Sequence, residues 1–543
     1  MTDSVNKKIS LRREAGVIGL LYASLGGIIG SGWLLGPRQA AIMAGPLSIF
    51  SWMFGGLAIL LLAIVYAELA TMFPRGGAVV HFPHYSHGSF LARIWSWVLF
   101  LGYVAIAPVE VVAVMSYTNS IPRIHTILPP LIHPVSGIVT GFGFILCVAL
   151  LVVFTIINLF GIRWAMRVSN AAGWWKLAIP AVTVLVLLTQ SHHIQNLKIT
   201  GADWPRDVRG IFTSLATAGV IFSFLGFRQA VELAGESSNP SRNIPIAVVG
   251  SVVIGLVLYI FLQLTFLLAI NPHALQQYGW AGLAKIPNFG SKTGPFAAIA
   301  ETLGLTWLAW LLYADAIVSP SGTGFIYTTT SARVISAMGE SRLLPKSLSR
   351  LNRAGVPWLA SLVSLIVGAI FLLPLPSWSR LVAYISSVMT LSYGIGPVVL
   401  LSLRRTLPEK SRHRPFRLPY ARILAPLSFI ISNLIIYWGG LTENTLFFGL
   451  IATMLVLFLL YRLAFDRPGF WALPWKNTWW VLPYFGGLWL LDFIGSPRMA
   501  GGLGYLRFPY DIAVVALFSL MILYIAVNSA VPVEELQAYI ESL

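Results

Sequence analysis

The chain alternates between long apolar runs and short polar segments along most of its length. An α-helix rises about 1.5 Å per residue, so about twenty apolar residues cross the ~30 Å hydrocarbon core of a bilayer. The apolar runs therefore predict an all-α membrane protein with twelve to fourteen transmembrane helices. The fourteen candidate positions are residues 16–42, 45–71, 91–119, 135–160, 170–190, 210–236, 245–270, 303–332, 357–374, 381–403, 423–440, 444–463, 479–494 and 510–530.

The composition agrees with a lipid environment. Hydrophobic residues make up 57% of the chain and charged residues only 10%, whereas soluble domains usually carry about 25% charged residues. A chain this poor in charge cannot cover a water-facing surface. The one cysteine, Cys147, lies in an apolar run, so an intrachain disulfide is impossible and a Cys-based metal site is disfavoured.

The net charge of +17 suggests a nucleic-acid partner until its distribution is considered. If successive loops alternate sides, the two loops richest in Lys and Arg, 333–353 and 404–422, fall on the same side as the N-terminus. Cytoplasmic loops carry this excess in membrane proteins, so the basic balance needs no nucleic acid. The pattern places both tails, 1–15 and 531–543, in the cytoplasm. The first apolar run is too long for a cleavable signal core, so we predict a retained helix and a multi-pass protein of the bacterial inner membrane.

Glycine-rich steps interrupt two of the predicted helices. The first helix has glycines at 26, 27, 30 and 32, and the sixth has Gly219 and Gly226. Interrupted helices at corresponding positions are typical of a transporter's binding site at the bilayer midplane, although close helix packing also uses glycine. The five-helix interval predicts an inverted repeat, with repeat one at 16–190 and repeat two at 210–403. Residues 404–530 then form peripheral helices outside the transport core, which spans 16–403.

Five motifs of this sequence, taken together and in order, resemble those of the amino acid–polyamine–organocation (APC) permeases. They are Gly30-Ser31-Gly32, Glu68–Gly77, Phe222–Arg228, Gly235–Pro245 and Ser331–Pro345. The resemblance covers roughly residues 12 to 405 and is to the aspartate–proton symporter branch. It implies a five-plus-five inverted-repeat fold with broken helices 1 and 6, about four peripheral helices, and an amino acid as substrate. It also implies a proton as coupling ion, with no other cofactor.

The resemblance also indicates where an amino acid binds. Free N–H groups at the start of the second half of helix one, at Gly30, Ser31 and Gly32, face a carboxylate with the positive end of a helix dipole. Carbonyls of the helix-six break, at Phe222, Phe224 and Leu225, are the expected acceptors for the α-ammonium group.

Arg228 lies within the helix-six break, and an intramembrane arginine indicates a functional site. It is able to hold a side-chain carboxylate of the substrate in bidentate fashion. It is also able to form a gating pair with Glu232, which lies four residues on, or to play a structural part. Arg38, in the outer half of helix one, either attracts anions or extends to the interface.

Lys176 corresponds, by resemblance, to the lysine that replaces a sodium ion in proton-coupled relatives. We expect its amine beside the carbonyls around Gly27 and the hydroxyl of Ser319 or Ser321, unless the side chain extends to the inner interface. Burial disfavours the charged form of an amine, so such a lysine is suited to releasing and regaining a proton.

Three further acids lie in apolar surroundings. Glu110 and Asp315 are candidates for proton relay or for balancing Arg228, and we favour pairing because buried carboxylates pair or protonate. Glu68 is expected to be a structural acid near the inner surface.

Other chemistry has little support. His81, His84 and His87 are predicted to lie in a loop, and no carboxylate or cysteine completes a metal site. No phosphate-binding loop or nucleophile–base set is present, so neither ATP-driven transport nor an enzyme is predicted. The sequence favours proton-coupled uptake of aspartate or glutamate. The alternatives are an exchanger of neutral or cationic amino acids or amines, and a membrane sensor that binds without transport.

Overall fold

The computed structural model describes residues 15–75, 78–133, 136–160, 162–198, 204–286, 289, 294–340, 344–407, 414–471, 473–497, 499–534 and 536. Within these ranges the chain is helical, and the β-type pairing consists of isolated bridges. The helices are α1 (Val17–Ile28), α2 (Gly32–Ala44), α3 (Ser48–Met72), α4 (Ala78–His87), α5 (Ser89–Thr118), α6 (Gly141–Leu159), α7 (Ile162–Gln190), α8 (Trp204–Thr217), α9 (Gln229–Glu232), α10 (Pro240–Ala269), α11 (Pro272–Tyr278), α12 (Pro295–Thr302), α13 (Thr306–Glu340), α14 (Trp358–Phe371), α15 (Trp378–Thr406), α16 (Ala421–Gly439), α17 (Leu441–Phe465), α18 (Arg467–Trp471), α19 (Trp475–Thr478), α20 (Val481–Ile494) and α21 (Tyr510–Asn528).

Each of the fourteen predicted spans contains a helix. Nine helical segments of the described chain, or ten with the bent sixth span, are long and apolar enough to cross a membrane. This count is lower than fourteen for three reasons. The first span is divided, and its second half is continuous with α3; α14 and α20 have only fourteen residues each. In addition, α13 is long but too polar to qualify.

Both predicted breaks are present. The first helix stops at Ile28 and resumes at Gly32. In the sixth, α8 ends at Thr217, Gly219 has a φ of +85° that favours glycine, and the chain continues after a bend of 50°. The unwound residues are therefore 218–221. Phe222–Arg228, which we expected to be unwound, forms a 3₁₀ helix.

The two breaks meet through glycine. A Cβ atom on Gly226 would collide with the backbone of Gly27, so the broken helices approach each other more closely than larger residues allow. Tyr259 of α10 joins them further, because its hydroxyl lies 2.9 Å from the Ile28 carbonyl and 3.2 Å from the Ser223 carbonyl. Packing and unwinding thus use the same glycine-rich segments.

The helices around the breaks are the most buried ones. The most apolar window of α5 is buried over its whole length, and that of α15 over 94%. The corresponding window of α17 is only 17% buried, which fits a peripheral, lipid-facing helix. The buried centre of the helical bundle therefore lies around α5 and α15.

Glu68 forms a buried ionic network at the end of α3, in agreement with the structural part expected for it. Its carboxylate accepts two hydrogen bonds from Arg404, at 3.1 and 2.5 Å, one from Arg414 at 3.3 Å, and one from the Leu418 backbone N–H at 2.7 Å. This network ties α3 to the end of α15 and to the segment that leads into α16.

His81, His84 and His87 lie in the short helix α4 and not in a loop, which corrects the prediction. Pro83 is the sixth residue of this helix, beyond the first turn where proline is tolerated, so the helix continues although one hydrogen bond is lost. His87 is buried between Ser86 and the Ala526 carbonyl of α21. The described residues contain no group of three or more metal-ligating side chains.

Candidate functional site

The break of helix one holds a carboxylate of the protein itself. The backbone N–H of Ser31, at the start of α2, donates to Oε2 of Glu110 at 2.9 Å. Both residues are fully buried. The first N–H groups of a helix lack intrahelical acceptors and form the positive end of its dipole, so a carboxylate is stabilised there. The other carboxylate oxygen, Oε1, is buried without a hydrogen-bond partner.

An ammonium group lies at the other side of the same break. Lys176 of α7 donates from Nζ to the Gly26 carbonyl at 2.8 Å and to Oγ1 of Thr323 at 2.6 Å. The last carbonyls of α1 are unsatisfied within the helix and form the negative end of its dipole. Lys176 is 1% exposed, so it does not extend to the interface.

The hydroxyl beside Lys176 belongs to Thr323, not to Ser319 or Ser321. Ser319 lies one turn away on α13, and its hydroxyl donates to Oδ1 of Asp315 at 2.6 Å. Thr323 of α13 carries the hydroxyl that lies at the level of the break, because its Oγ1 also lies 3.3–3.4 Å from the carbonyl oxygens of Gly26 and Ile29.

Glu110 and Asp315 both interact electrostatically with Lys176. Glu110 accepts from Ser31 at the helix-one break, and Asp315 accepts from Ser319 of its own helix. Among the described residues, Glu232 is the candidate partner that lies beside Arg228, with Oε1 3.6 Å from Nε.

Arg228 is held inside an aromatic enclosure. Its guanidinium carbon lies 4.9–5.7 Å from the ring centroids of Tyr66, Tyr103 and Tyr393. Nη1 donates to the Ser392 hydroxyl at 2.9 Å, and Nε lies 3.6 Å from Oε1 of Glu232. Nε and Nη2 are buried and make no hydrogen bond, so two donors of the fork remain for another acceptor.

Some of the groups that we expected to contact the substrate, in the segment Phe222–Arg228 and at the start of α2, already contact other residues of the protein. The Leu225 carbonyl accepts the Tyr393 hydroxyl at 2.7 Å. Gly32 packs against Ser223, where a Cβ would collide with the serine side chain. Phe222 meets Trp378 edge to face at 6.3 Å, and the Trp378 indole donates to the Ser31 hydroxyl at 2.9 Å.

The break itself is closely packed, and the gap between Gly27, Glu110, Phe222, Leu225 and Thr323 is too small to admit a water molecule. A vestibule of ≈ 490 Å³ opens on the side where α1 begins, with Tyr22, Ala23, Gln229, Ile326 and Arg333 in its wall. One helical turn separates Ala23 from Gly27, so the vestibule ends directly below the break.

Arg38 lies half buried, with its guanidinium over the Phe289 ring at 5.5 Å from the centroid. This stacked position is well away from Arg228 along the two broken helices.

Sequence reasoning missed several residues of the site. Thr323 lies in a Ser-Gly-Thr-Gly run of α13, where the small residues indicate close helix packing. Trp378, Ser392 and Tyr393 share α15 and show no local signal, since only the tertiary fold brings them to the breaks.

The chain matches the Amino acid permease family over residues 16–491. It is 36% identical to the "Glutamate/serine transporter AimA" of Bacillus subtilis (strain 168), over 97% of this chain and 96% of that protein. It is 33% identical to the "Aspartate-proton symporter" of the same organism, over 97% of this chain and 98% of that protein. It is 25% identical to the "Branched-chain amino acid permease BcaP" of Bacillus subtilis (strain 168), over 83% of this chain and 93% of that protein.

Proposed function

The chain belongs to the amino acid permease family, and from that premise we propose that it is a proton-coupled transporter that takes up an acidic amino acid, aspartate or glutamate, by alternating access. As a member of this family it is a multi-pass membrane transporter with an amino acid substrate, and it is not an enzyme. The observation that carries the proposal is the pair of protein charges at the helix-one break, the Lys176 ammonium and the Glu110 carboxylate.

The Glu110 carboxylate lies where the α-carboxylate of an amino acid would bind. A substrate carboxylate that takes the Ser31 N–H must displace Glu110. Two carboxylates at one buried site are unfavourable unless one of them takes up a proton. Substrate binding and protonation of Glu110 are therefore coupled, and this coupling gives a proton gradient its effect on uptake.

Lys176 completes the coupling. While its ammonium holds the Gly26 carbonyl and Thr323, it neutralises part of the charge at the break. Gly173 and Trp174, three and two residues earlier on α7, line the vestibule, which gives the amine a short route for its proton to the inner side. A sodium ion at the same carbonyls would face this ammonium at close range, so proton coupling is favoured over sodium coupling.

The preference for an acidic substrate rests on Arg228. Its Nη2 makes no hydrogen bond and its Nε has the Glu232 carboxylate at 3.6 Å, so both groups are able to hold a substrate carboxylate, and the three surrounding tyrosines keep the arginine in place. The names of two relatives, a glutamate/serine transporter and an aspartate-proton symporter, support this choice. Entry of an anion against a negative interior costs ~2.3 kcal/mol per charge per 100 mV, which gives co-transported protons a physical reason.

A neutral amino acid such as serine is the second candidate, and exchange the second mode. Arg228 already contacts Ser392 and Glu232. The Arg228–Glu232 pair is therefore able to act as a gate, and the other residues of the site would then determine which substrate binds. The similarity to a glutamate/serine transporter supports this second candidate.

The test is uptake of labelled aspartate into proteoliposomes with and without an inward proton gradient. Serine and arginine are run beside it, and a second set of vesicles is preloaded with substrate. Accumulation of aspartate driven by the gradient alone is the expected result. Uptake only into preloaded vesicles would identify an exchanger, and uptake of serine alone would overturn the acidic substrate.

A further inference from the structure

Polar side chains from three helices meet outside the transport site, where α16 ends. Asn444 of α17 donates from Nδ2 to Oδ2 of Asp492 on α20 at 2.7 Å, and to the Ile436 carbonyl at 2.6 Å. Ser387 of α15 lies against Gly439, where a Cβ would collide with its hydroxyl and lie 3.2 Å from Oδ1 of Asn444. We call Ser387, Asn444 and Asp492 the outer polar cluster.

Each member of the outer polar cluster has one oxygen without a partner. Oδ1 of Asp492, Oδ1 of Asn444 and Oγ of Ser387 are buried and make no hydrogen bond. The three residues are at most 1% exposed. Among the residues that the structure describes, no Lys, Arg or His forms an ion pair with Asp492; the nearby pair Arg380–Glu443 is separate from it.

A buried carboxylate without a counter-charge is strongly unfavourable, so it requires a proton or a cation in addition to hydrogen bonds. Asn444 already uses both donors of its amide, on Oδ2 of Asp492 and on the Ile436 carbonyl, and Oδ1 of Asp492 has no donor. A water molecule would meet the hydrogen-bond needs of these oxygens but would leave the charge of Asp492 in place. A proton on Asp492 or a bound cation meets both needs, and only the cation makes stability depend on Na⁺.

The donor set indicates the kind of cation. Carboxylate, amide and hydroxyl oxygens are ligands for hard ions, and affinity for a divalent ion depends on the number of charged ligands. Here one carboxylate is combined with two neutral oxygens at the C-terminal end of α16, where the helix dipole is negative. We propose that the outer polar cluster binds a monovalent alkali cation, with Na⁺ as the physiological occupant.

This proposal does not depend on the proposed function. The cluster joins α15 to the peripheral helices α17 and α20, and none of its members contacts the Lys176–Glu110 pair. A cation there acts as a structural ligand that holds the peripheral helices to the transport core. It stabilises the protein without driving uptake.

The test is the melting temperature of the purified full chain in detergent as NaCl replaces choline chloride at constant ionic strength. A ligand that binds only the folded protein raises the melting temperature with its concentration. We expect the melting temperature of the wild type to rise with Na⁺ concentration. Ser387→Ala should need an at least about tenfold higher Na⁺ concentration for the same rise, and Asp492→Asn should show no rise.

Ser402→Ala is the matched control, because its hydroxyl is also buried and unpartnered on α15 but lies fifteen residues away, about 22 Å along the helix. It should keep the wild-type Na⁺ response. Should Asp492→Asn fail to fold, Ser387→Ala decides the question, since that side chain has no hydrogen bond to lose. A melting temperature independent of Na⁺, an equal response in all variants, or stabilisation by acid alone would overturn the proposal.

Discussion

The Ser31 backbone N–H donates to the Glu110 carboxylate at 2.9 Å, so the start of α2 holds an acid from α5. On the other side of the break, the Lys176 ammonium holds the Gly26 carbonyl at 2.8 Å. An amino acid carries the same two groups, a carboxylate and an ammonium. Under the proposed function, a substrate would replace contacts that the protein makes with itself, and each replacement would change the protonation of a protein group.

Replacing Glu110 by glutamine should separate binding from proton coupling. The amide keeps the shape of the side chain but carries no titrating proton. Wild-type affinity for aspartate should change by up to about tenfold per pH unit where one proton is taken up with the substrate. The Glu110→Gln variant should bind aspartate with little pH dependence and lose gradient-driven accumulation. Binding of labelled aspartate between about pH 6 and 8.5, with gradient-driven uptake measured in parallel, is the measurement.

Asp315→Asn is the matched control for that experiment. Asp315 also interacts electrostatically with Lys176, but its Oδ1 accepts from Ser319 and not from the helix-one break. This variant should keep the pH dependence of binding. A Glu110→Gln variant whose affinity varies with pH as the wild type does would contradict the role given to Glu110.

Lys176→Arg tests whether the amine must lose its proton. Arginine keeps the positive charge but is not deprotonated in proteins. Net uptake should fall at least about a hundredfold. Lys176→Ala should lose net uptake and retain exchange between preloaded and external substrate. Equal net uptake by wild type and Lys176→Arg would show that a fixed positive charge is sufficient there.

Arg228→Gln tests the choice of substrate. Loss of a charge-assisted bidentate contact costs about 1.5–3 kcal/mol, which corresponds to roughly a 10- to 150-fold loss in apparent affinity for aspartate. Serine has no second carboxylate, so its uptake should change by less than about threefold on this argument. Competition of serine and aspartate against one labelled substrate measures both. Equal loss for the two substrates would assign Arg228 to the gate with Glu232, and Glu232→Gln is the control for that pair.

The sequence anticipates the parts of this site that depend on local chemistry. Glycine spacing locates the first break and, through Gly219, the start of the second, although Phe222–Arg228 is a 3₁₀ helix and not unwound. The four-residue interval puts Glu232 beside Arg228. It does not anticipate contacts that depend on how helices are rotated against each other. To predict that Lys176 contacts Thr323 and not Ser319, one must know how far α13 is shifted along its axis relative to the break. To predict the Glu110–Ser31 contact, one must know the position of α5.

Glu68→Gln should destabilise the protein strongly. Glu68 is fully buried and meets Arg404 and Arg414. Removal of one partner from a buried ion pair typically costs about 3–5 kcal/mol. Glu443→Gln is the control, since its partner Arg380 is 45% exposed and such pairs contribute about 1 kcal/mol or less. Melting temperatures in detergent should fall clearly for the first variant and little for the second. A larger fall for Glu443→Gln than for Glu68→Gln would contradict the stabilising role of the ionic network between α3 and α15.

The last prediction concerns His87, which lies in α4 outside the spans. Burial lowers the pKa of His87 to about 4, although its bond to the Ala526 carbonyl acts in the opposite direction. The carbonyl at 2.8 Å only accepts, so Nε2 carries the proton, and Nδ1, 2.7 Å from the Ser86 hydroxyl, is the acceptor of a neutral ring. In the unfolded chain the pKa of histidine is about 6.5.

Between pH 6.5 and 4 the unfolded chain therefore binds a proton that the folded chain does not. Stability falls as the pH drops through this window, by up to about 3 kcal/mol for this one residue, and is unaffected by it above pH 6.5. His87→Gln keeps an N–H that is able to reach Ala526 but removes the titration. Its melting temperature should fall less steeply between pH 6.5 and 4.5 than that of the wild type. Burial also lowers the pKa of His84 to about 4, so part of the slope remains. Identical slopes in the two proteins would show that His87 is protonated or exposed in the folded state, and the link between α4 and α21 would then need another basis.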